Sequence, residues 1–270
     1  MSLAGHQEDI EMLAPLARVA QKIPTRYPAI AAALIAIAAC AFSAAPASAS
    51  SICGEGTYAY AGYMGGAASS GVSATIEQQG PIAVHAGHVA GWIGVDEPTT
   101  GDAWLQAGLS ALPGQTQSGM YYEIAVPGQN PVYHQLAAQV SSGPHTFAVL
   151  EQRPNWWVVT VDGRPVMKPV YLRGSHGHWT AEVLGESWAG TVSGACNAYS
   201  YSFSGVKLHS AKPSAPAALP SSLHHDPAYT VTGRSRTGFV ASSVGFADTS
   251  MAAPNATGAA SQPPQSTPDQ

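Results

Sequence analysis

Charge is what this chain is short of. Of its 270 residues only 10% are Asp, Glu, Lys or Arg, against about 25% in ordinary globular domains. Solvated helix faces are built largely from Lys and Glu, so the shortage argues against a helical protein and for an all-β one. The 11 basic residues form no run and are outnumbered by 16 acidic ones, which argues against a nucleic-acid partner. Cysteine is scarce, with three in all, and they are too far apart in sequence to suggest a zinc site. A long apolar run is missing too. "YPAIAAALIAIAACAF" (27–42) is too short and too rich in Ala for a stable membrane span.

That run instead has the features of an export signal. Arg18, Lys22 and Arg26 precede it, and "APASAS" follows with Ala47 and Ala49 as small residues before a cut after Ala49. The stretch before the run is long, and Met12 is an alternative start. A competing reading makes "IAAC" a lipoprotein signal with Cys40 acylated. Both place the mature chain outside the cytoplasm, secreted in the first reading and lipid-anchored in the second. Removal of residues 1–49 takes Cys40 away and leaves Cys53 and Cys196, an even pair in an oxidising compartment, so a disulfide is expected. Closing so long a loop contributes about 3–5 kcal/mol in the chain-entropy model.

What is abundant is the material of strands and turns. From residue 54 to 210, segments rich in aromatic and β-branched residues recur at a spacing of roughly ten, the pattern of a sandwich or barrel. "VTVDGRPV" (159–166) reads as a hairpin turning at Asp162-Gly163. "YSYSFS" (199–204) alternates, with Tyr199, Tyr201 and Phe203 on one face and serines on the other. No helical period is convincing after residue 50. The expectation is one all-β domain over 50–210, an antiparallel β-sandwich. From 211 to 270 the composition turns to Ser, Thr, Ala and Pro and reads as a disordered tail, with "TGFVASSVGF" (237–246) as a segment that docks transiently.

The search for chemistry begins with what is absent. There is no G-x-S-x-G nucleophile motif. His85 with His88, and His176 with His178, are pairs without a third well-placed ligand, so no metal is expected. Three carboxylates stand out, because Asp96, Glu123 and Glu182 fall in apolar strand contexts where an ionised group needs a partner or a function. In "HWTAEVLGES" (178–187), Trp179, Ala181 and Val183 form one apolar face while Thr180, Glu182 and Glu186 share the other. In "DAWLQAGL" (102–109), Trp104, Gln106 and Gly108 share a face opposite Leu105 and Ala107.

These segments carry a resemblance. "WIGVDEPTTGDAWLQAGL" (92–109) resembles the Trp-x-Gly-x-Asp and Leu-Gln-x-Gly stretch of the eqolisin family of glutamic peptidases, and "TAEVLGES" (180–187) resembles its Ala-Glu-x-x-x-Glu stretch. "YAGYMGG", "GVSATIE", "MYYEIAVP" and "YSYSFSGVKL" follow in the family's order, so the likeness spans about residues 58 to 209. It implies a concanavalin-like sandwich, an acid endopeptidase acting on polypeptide without a cofactor, and a monomer. Gln106 and Glu182 would be its catalytic dyad. Glu182 would take a proton from the attacking water and pass it to the leaving amine. Gln106 would orient that water and stabilise the oxyanion. Asp96 would brace the Gln106 strand and Glu186 would neighbour the base. Trp92, Trp104, Tyr122 and Glu123 would lie on the substrate side or beneath it.

The sequence also departs from the family pattern. Tyr60 stands where a Trp is expected, and the Trp-Tyr-Glu-Trp strand is reduced to Tyr121-Tyr122-Glu123-Ile124. Two other functions compete: a non-catalytic peptide- or carbohydrate-binding sandwich, and a glycoside hydrolase using Glu123 with Glu182.

Overall fold

The structure is a computed structural model and describes residues 58–139, 143–190, 196–210 and 218–244. The export signal with its cut after Ala49, the Cys40 anchor and the Cys53 half of the expected disulfide lie outside these residues. No helix among the described residues is long and apolar enough to cross a membrane.

Fourteen strands are described: β1 (Tyr58–Gln78), β2 (His88–Asp96), β3 (Trp104–Ala111), β4 (Gly119–Ala125), β5 (Val132–Ala137), β6 (His145–Arg153) and β7 (Trp156–Val161), then β8 (Arg164–Pro165), β9 (Val170–Tyr171), β10 (Thr180–Trp188), β11 (Ser200–Ser210), β12 (His224–His225), β13 (Tyr229–Ser235) and β14 (Gly238–Ser243). All pair antiparallel. One sheet runs β5-β4-β3-β2-β10-β1, and the other runs β13-β14-β11-β1-β6-β7. The chain is an antiparallel β-sandwich, as its patterning led us to expect, and of the concanavalin-like, jelly-roll type that the resemblance implies.

β1 belongs to both sheets. Its first half pairs with β10 and its second half with β11 and β6. The crossing falls at "MGGAASSG", where the register slips between Met64 and Ala68. A Cβ on Gly65 would drive into the carbonyl of Ala181, so only glycine lets the strand lie this close to β10 as it bends away. The core fills the space between the sheets. Ile93, Val95, Leu105, Leu109 and Val183 from the first meet Phe147, Val149, Trp157 and Val159 from the second. Each alternates with a residue of the opposite face, the period-2 logic of a strand.

The Asp162-Gly163 turn is as expected, with both residues at positive φ between β7 and β8. Tyr199, Tyr201 and Phe203 are buried together. The boundary at 210 needs correction. Residues 224–243, assigned to the tail, form three strands: β14 pairs with β11, β13 with β14, and β12 with β1. Phe239 stacks on Phe203 at 4.8 Å, and Tyr229 stacks on Tyr199 at 5.3 Å. A few buried rings in a weakly patterned stretch are enough to hold it, because the sheet supplies the partners for its backbone.

Candidate active site

The outer face of the first sheet carries the polar residues. In register across the strands lies one row: Met64 on β1, Glu182 on β10, Gly94 on β2, Gln106 on β3, Glu123 on β4 and Tyr133 on β5. Residues directly opposite across antiparallel strands point to the same face. Glu182 and Gln106 therefore rise on the same side, two strand spacings (~9.6 Å) apart. Gly94 leaves the space above β2 open. A Cβ there would come within 2.9 Å of the Gln106 Cβ and of the Leu105 carbonyl.

The adjoining rows complete the face. Thr180, Asp96 and Trp104 lie on one side of the central row. On the other side, Leu184, Trp92, Gly108 and Tyr121 form one row, and Tyr60, Glu186, Ala90 and Ser110 the next. Asp96, Gln106, Glu123, Glu182 and Glu186 are all only 6–8% exposed. Five such groups on one outer face of a sheet is an unusual concentration, since buried polar groups must all find partners.

The partners are specific. Gln106 Nε2 donates to Glu123 Oε2 at 3.0 Å and to Tyr121 Oη at 3.3 Å. Glu186 accepts from Trp92 Nε1 at 2.8 Å and pairs with His88 Nε2 at 2.8 Å. Asp96, expected to brace the Gln106 strand, accepts a 2.7 Å hydrogen bond from Thr180 Oγ1 on the Glu182 strand. Ser110 and Tyr133 bond through their hydroxyls at 2.8 Å, and the Tyr133 ring stacks on Tyr121 at 5.1 Å. Trp104 Nε1 is buried with no hydrogen-bond partner among the described residues.

Burial, and next the charge of Glu186, push the Glu123 carboxyl up to about 7. His88 and the Gln106 hydrogen bond pull the other way without overcoming them. Glu123 is thus a group that exchanges its proton near neutrality, able to serve as acid or base. The same two carboxylates, after burial, raise the Tyr121 hydroxyl well above its ordinary value, so Tyr121 stays a neutral hydrogen-bonding group.

Most of the residues expected at the site are brought together on this face: Gln106, Glu182, Asp96, Trp92, Trp104, Glu123, Glu186 and Tyr60. Tyr122 is not. It points to the inner side, packs against the core and stacks on His134 at 4.4 Å. The tyrosine of this strand on the polar face is Tyr121, in a cluster with Ala90, Trp92, Leu184 and Tyr60. Alternation in "MYYEI" already contained this correction, since Tyr121 and Glu123 are two apart and must share a face. Sequence reasoning also missed an aromatic group at one end of this face, where Tyr58 stacks on Tyr60 and Trp188 at 6.1 and 5.8 Å, with His88 against Trp188 at 5.6 Å. The period-2 relation of His88 to Trp92 places it here. Among the described residues no three His, Cys, Asp or Glu side chains gather as a metal site.

Fold and face together define the class: a concanavalin-like sandwich with a buried polar face on one sheet. Solved structures of scytalido-glutamic peptidase are similar in fold. One, with a peptide-based transition-state analogue, is 17% identical at a TM-score of 0.53, covering 71% of this chain and all of that one. Another, with a transition-state analogue inhibitor, is 16% identical at a TM-score of 0.50, covering 71% of this chain and 98% of that one. A likeness this low in identity establishes a shared fold. No protein-family model matches the sequence, and the search of curated proteins found no match.

Proposed function

We propose that this chain is a peptidase that hydrolyses peptide bonds in the groove with Glu182 and Gln106. The observation that carries this reading is their register: Glu182 and Gln106 rise in one buried row with only Gly94 between them. A water held over Gly94 would be within reach of both. Glu182 as carboxylate takes its proton while its oxygen attacks the scissile carbonyl, and the protonated Glu182 then delivers that proton to the leaving amine. Gln106 orients the water and donates to the oxyanion. No metal or cofactor takes part. The similar structures are glutamic peptidases holding transition-state analogues, which supports the substrate class. The substrate is a polypeptide lying along the aromatic-walled groove, and the enzyme works outside the cytoplasm as a monomer, with Cys53 and Cys196 bridged.

The glycosidase reading is weaker on geometry. Glu123 and Glu182 stand on strands three spacings apart, ~14 Å between backbones, with Gln106 in the row between them. A carboxylate pair acting on a glycosidic bond works about 5–10 Å apart.

The test is incubation of the protein with a peptide library between pH 2 and 7, with pepstatin present and products read by mass spectrometry. Cleavage at internal peptide bonds supports the reading. Intact peptides at every pH, from protein shown to be folded, would overturn it.

A further inference from the structure

The Gln106 amide faces the wrong way for the task assigned to it. An oxyanion is stabilised by N–H donors. Yet Gln106 Nε2 is turned towards β4, with Glu123 Oε2 at 3.0 Å and Tyr121 Oη at 3.3 Å. A primary amide has two hydrogens and both have a partner there. Its Oε1, on the opposite side of the planar amide, is the atom left for the groove. In this orientation Gln106 accepts from a water and donates nothing to a developing oxyanion.

We propose that Glu123 is a positioning residue whose protonation turns the Gln106 amide over, offering the groove a carbonyl acceptor when Glu123 is ionised and an N–H donor when it is neutral. An ionised carboxylate can only accept, so it holds Nε2. A neutral carboxyl carries an O–H that donates to Gln106 Oε1, and this favours the amide rotated by half a turn. Tyr121 accommodates both states, because its hydroxyl accepts from Nε2 in one and donates to Oε1 in the other. The change takes up one proton from solvent and breaks no covalent bond. It makes the oxyanion donor available at acid pH and withdraws it as the pH rises.

Several groups surround Glu123. Glu186 on β10 favours its proton and His88 on β2 opposes it. Glu182 stands in the same row beyond Gln106 and Gly94. Tyr133 on β5, Tyr121 on its own strand and Tyr58 on β1 are near enough for the Glu123 charge to raise each of them. His88 and Glu186 are bonded to each other at 2.8 Å, so a signal from either must be separated from one arising at Glu123.

The proposal rests on the peptidase reading for its consequence and on geometry alone for the rotation, so the two are tested apart. The side-chain amide of Gln106 is followed by nitrogen-15 NMR from pH 5 to 9, assigned by its loss in Gln106→Ala. It is expected to titrate with a midpoint near 7, and that titration disappears in Glu123→Gln, whose amide can donate to Oε1 at any pH. In Glu186→Gln, which removes a charge that keeps the proton on Glu123, the midpoint moves down. A Gln106 signal that does not titrate, or one that titrates unchanged in both variants, overturns the proposal whether or not any peptide is cut. In the cleavage assay, wild-type activity falls about tenfold by one pH unit above the midpoint, and in the Glu123→Gln protein, whatever its overall rate, that fall is absent. A titrating amide with no cleavage at any pH would sink the peptidase reading and leave the rotation standing.

Discussion

Glu182 and Gln106 stand in one cross-strand row with a single residue between them, and that residue is Gly94. The glycine is required by its surroundings. Its added Cβ would lie 2.9 Å from the Gln106 Cβ, a carbon fixed to the backbone and unable to swing aside. Gly94→Ala should cost about 1–3 kcal/mol by overpacking and displace Gln106 from the row. A 1 Å displacement in such a site commonly costs ~10²-fold in rate, so kcat/KM should fall by about that factor. Urea unfolding alongside peptide kinetics separates the two effects.

Glu123 ties stability to pH. The folded chain keeps its proton up to about 7, whereas the ordinary value is 4.5. Between these limits the folded state binds more protons than the unfolded one, so stability is greatest at the acid end and falls as pH rises towards 7. Above 7 this contribution is fully lost. The difference corresponds to about 3 kcal/mol. Glu123→Gln should flatten the decline, measured as urea midpoints at pH 4.5, 6 and 7.5.

Glu186 is held at both oxygens, by Trp92 Nε1 and His88 Nε2. Trp92→Phe keeps most of the ring and removes one of these donors from a buried carboxylate. The expected loss is about 1–3 kcal/mol, read in thermal unfolding. If stability is unchanged, the Trp92–Glu186 bond does not matter to the fold.

A chain ended at Ser210 should not fold. It would bare the β11 edge and remove Phe239 and Tyr229 from their stacks on Phe203 and Tyr199. Soluble expression with a cooperative melt would show that β12–β14 are dispensable.

Much of this was readable in the sequence because a strand writes its two faces in alternate letters. The sandwich, the DG turn and the shared face of Trp104 and Gln106 follow from that period. So does the pairing of Thr180, Glu182 and Glu186 opposite Ala181 and Val183. For Tyr122 the sequence reading leaves the substrate side or a place beneath it open, and the same period, counted from Glu123, selects the second. Position between neighbours on other strands is a different matter. That Gly94 parts Glu182 from Gln106 depends on the register of three strands, which no local pattern encodes. That Asp96 turns to Thr180, and Gln106 to Glu123, is decided by contacts between residues 84 and 17 positions apart. The segment 224–243 reads as tail, with only 237–246 as a docking stretch, because its composition is that of a loop and its pairing comes from β11 and β1.

The central claim is that Glu182 performs the proton transfers of peptide hydrolysis. Its most direct test is the rate of casein cleavage by Glu182→Gln between pH 2 and 7 with pepstatin present, on protein whose circular dichroism and melting match the wild type. The account predicts that turnover is abolished while the fold persists, and that Gln106→Ala behaves alike. Full activity in the Glu182→Gln protein would contradict it.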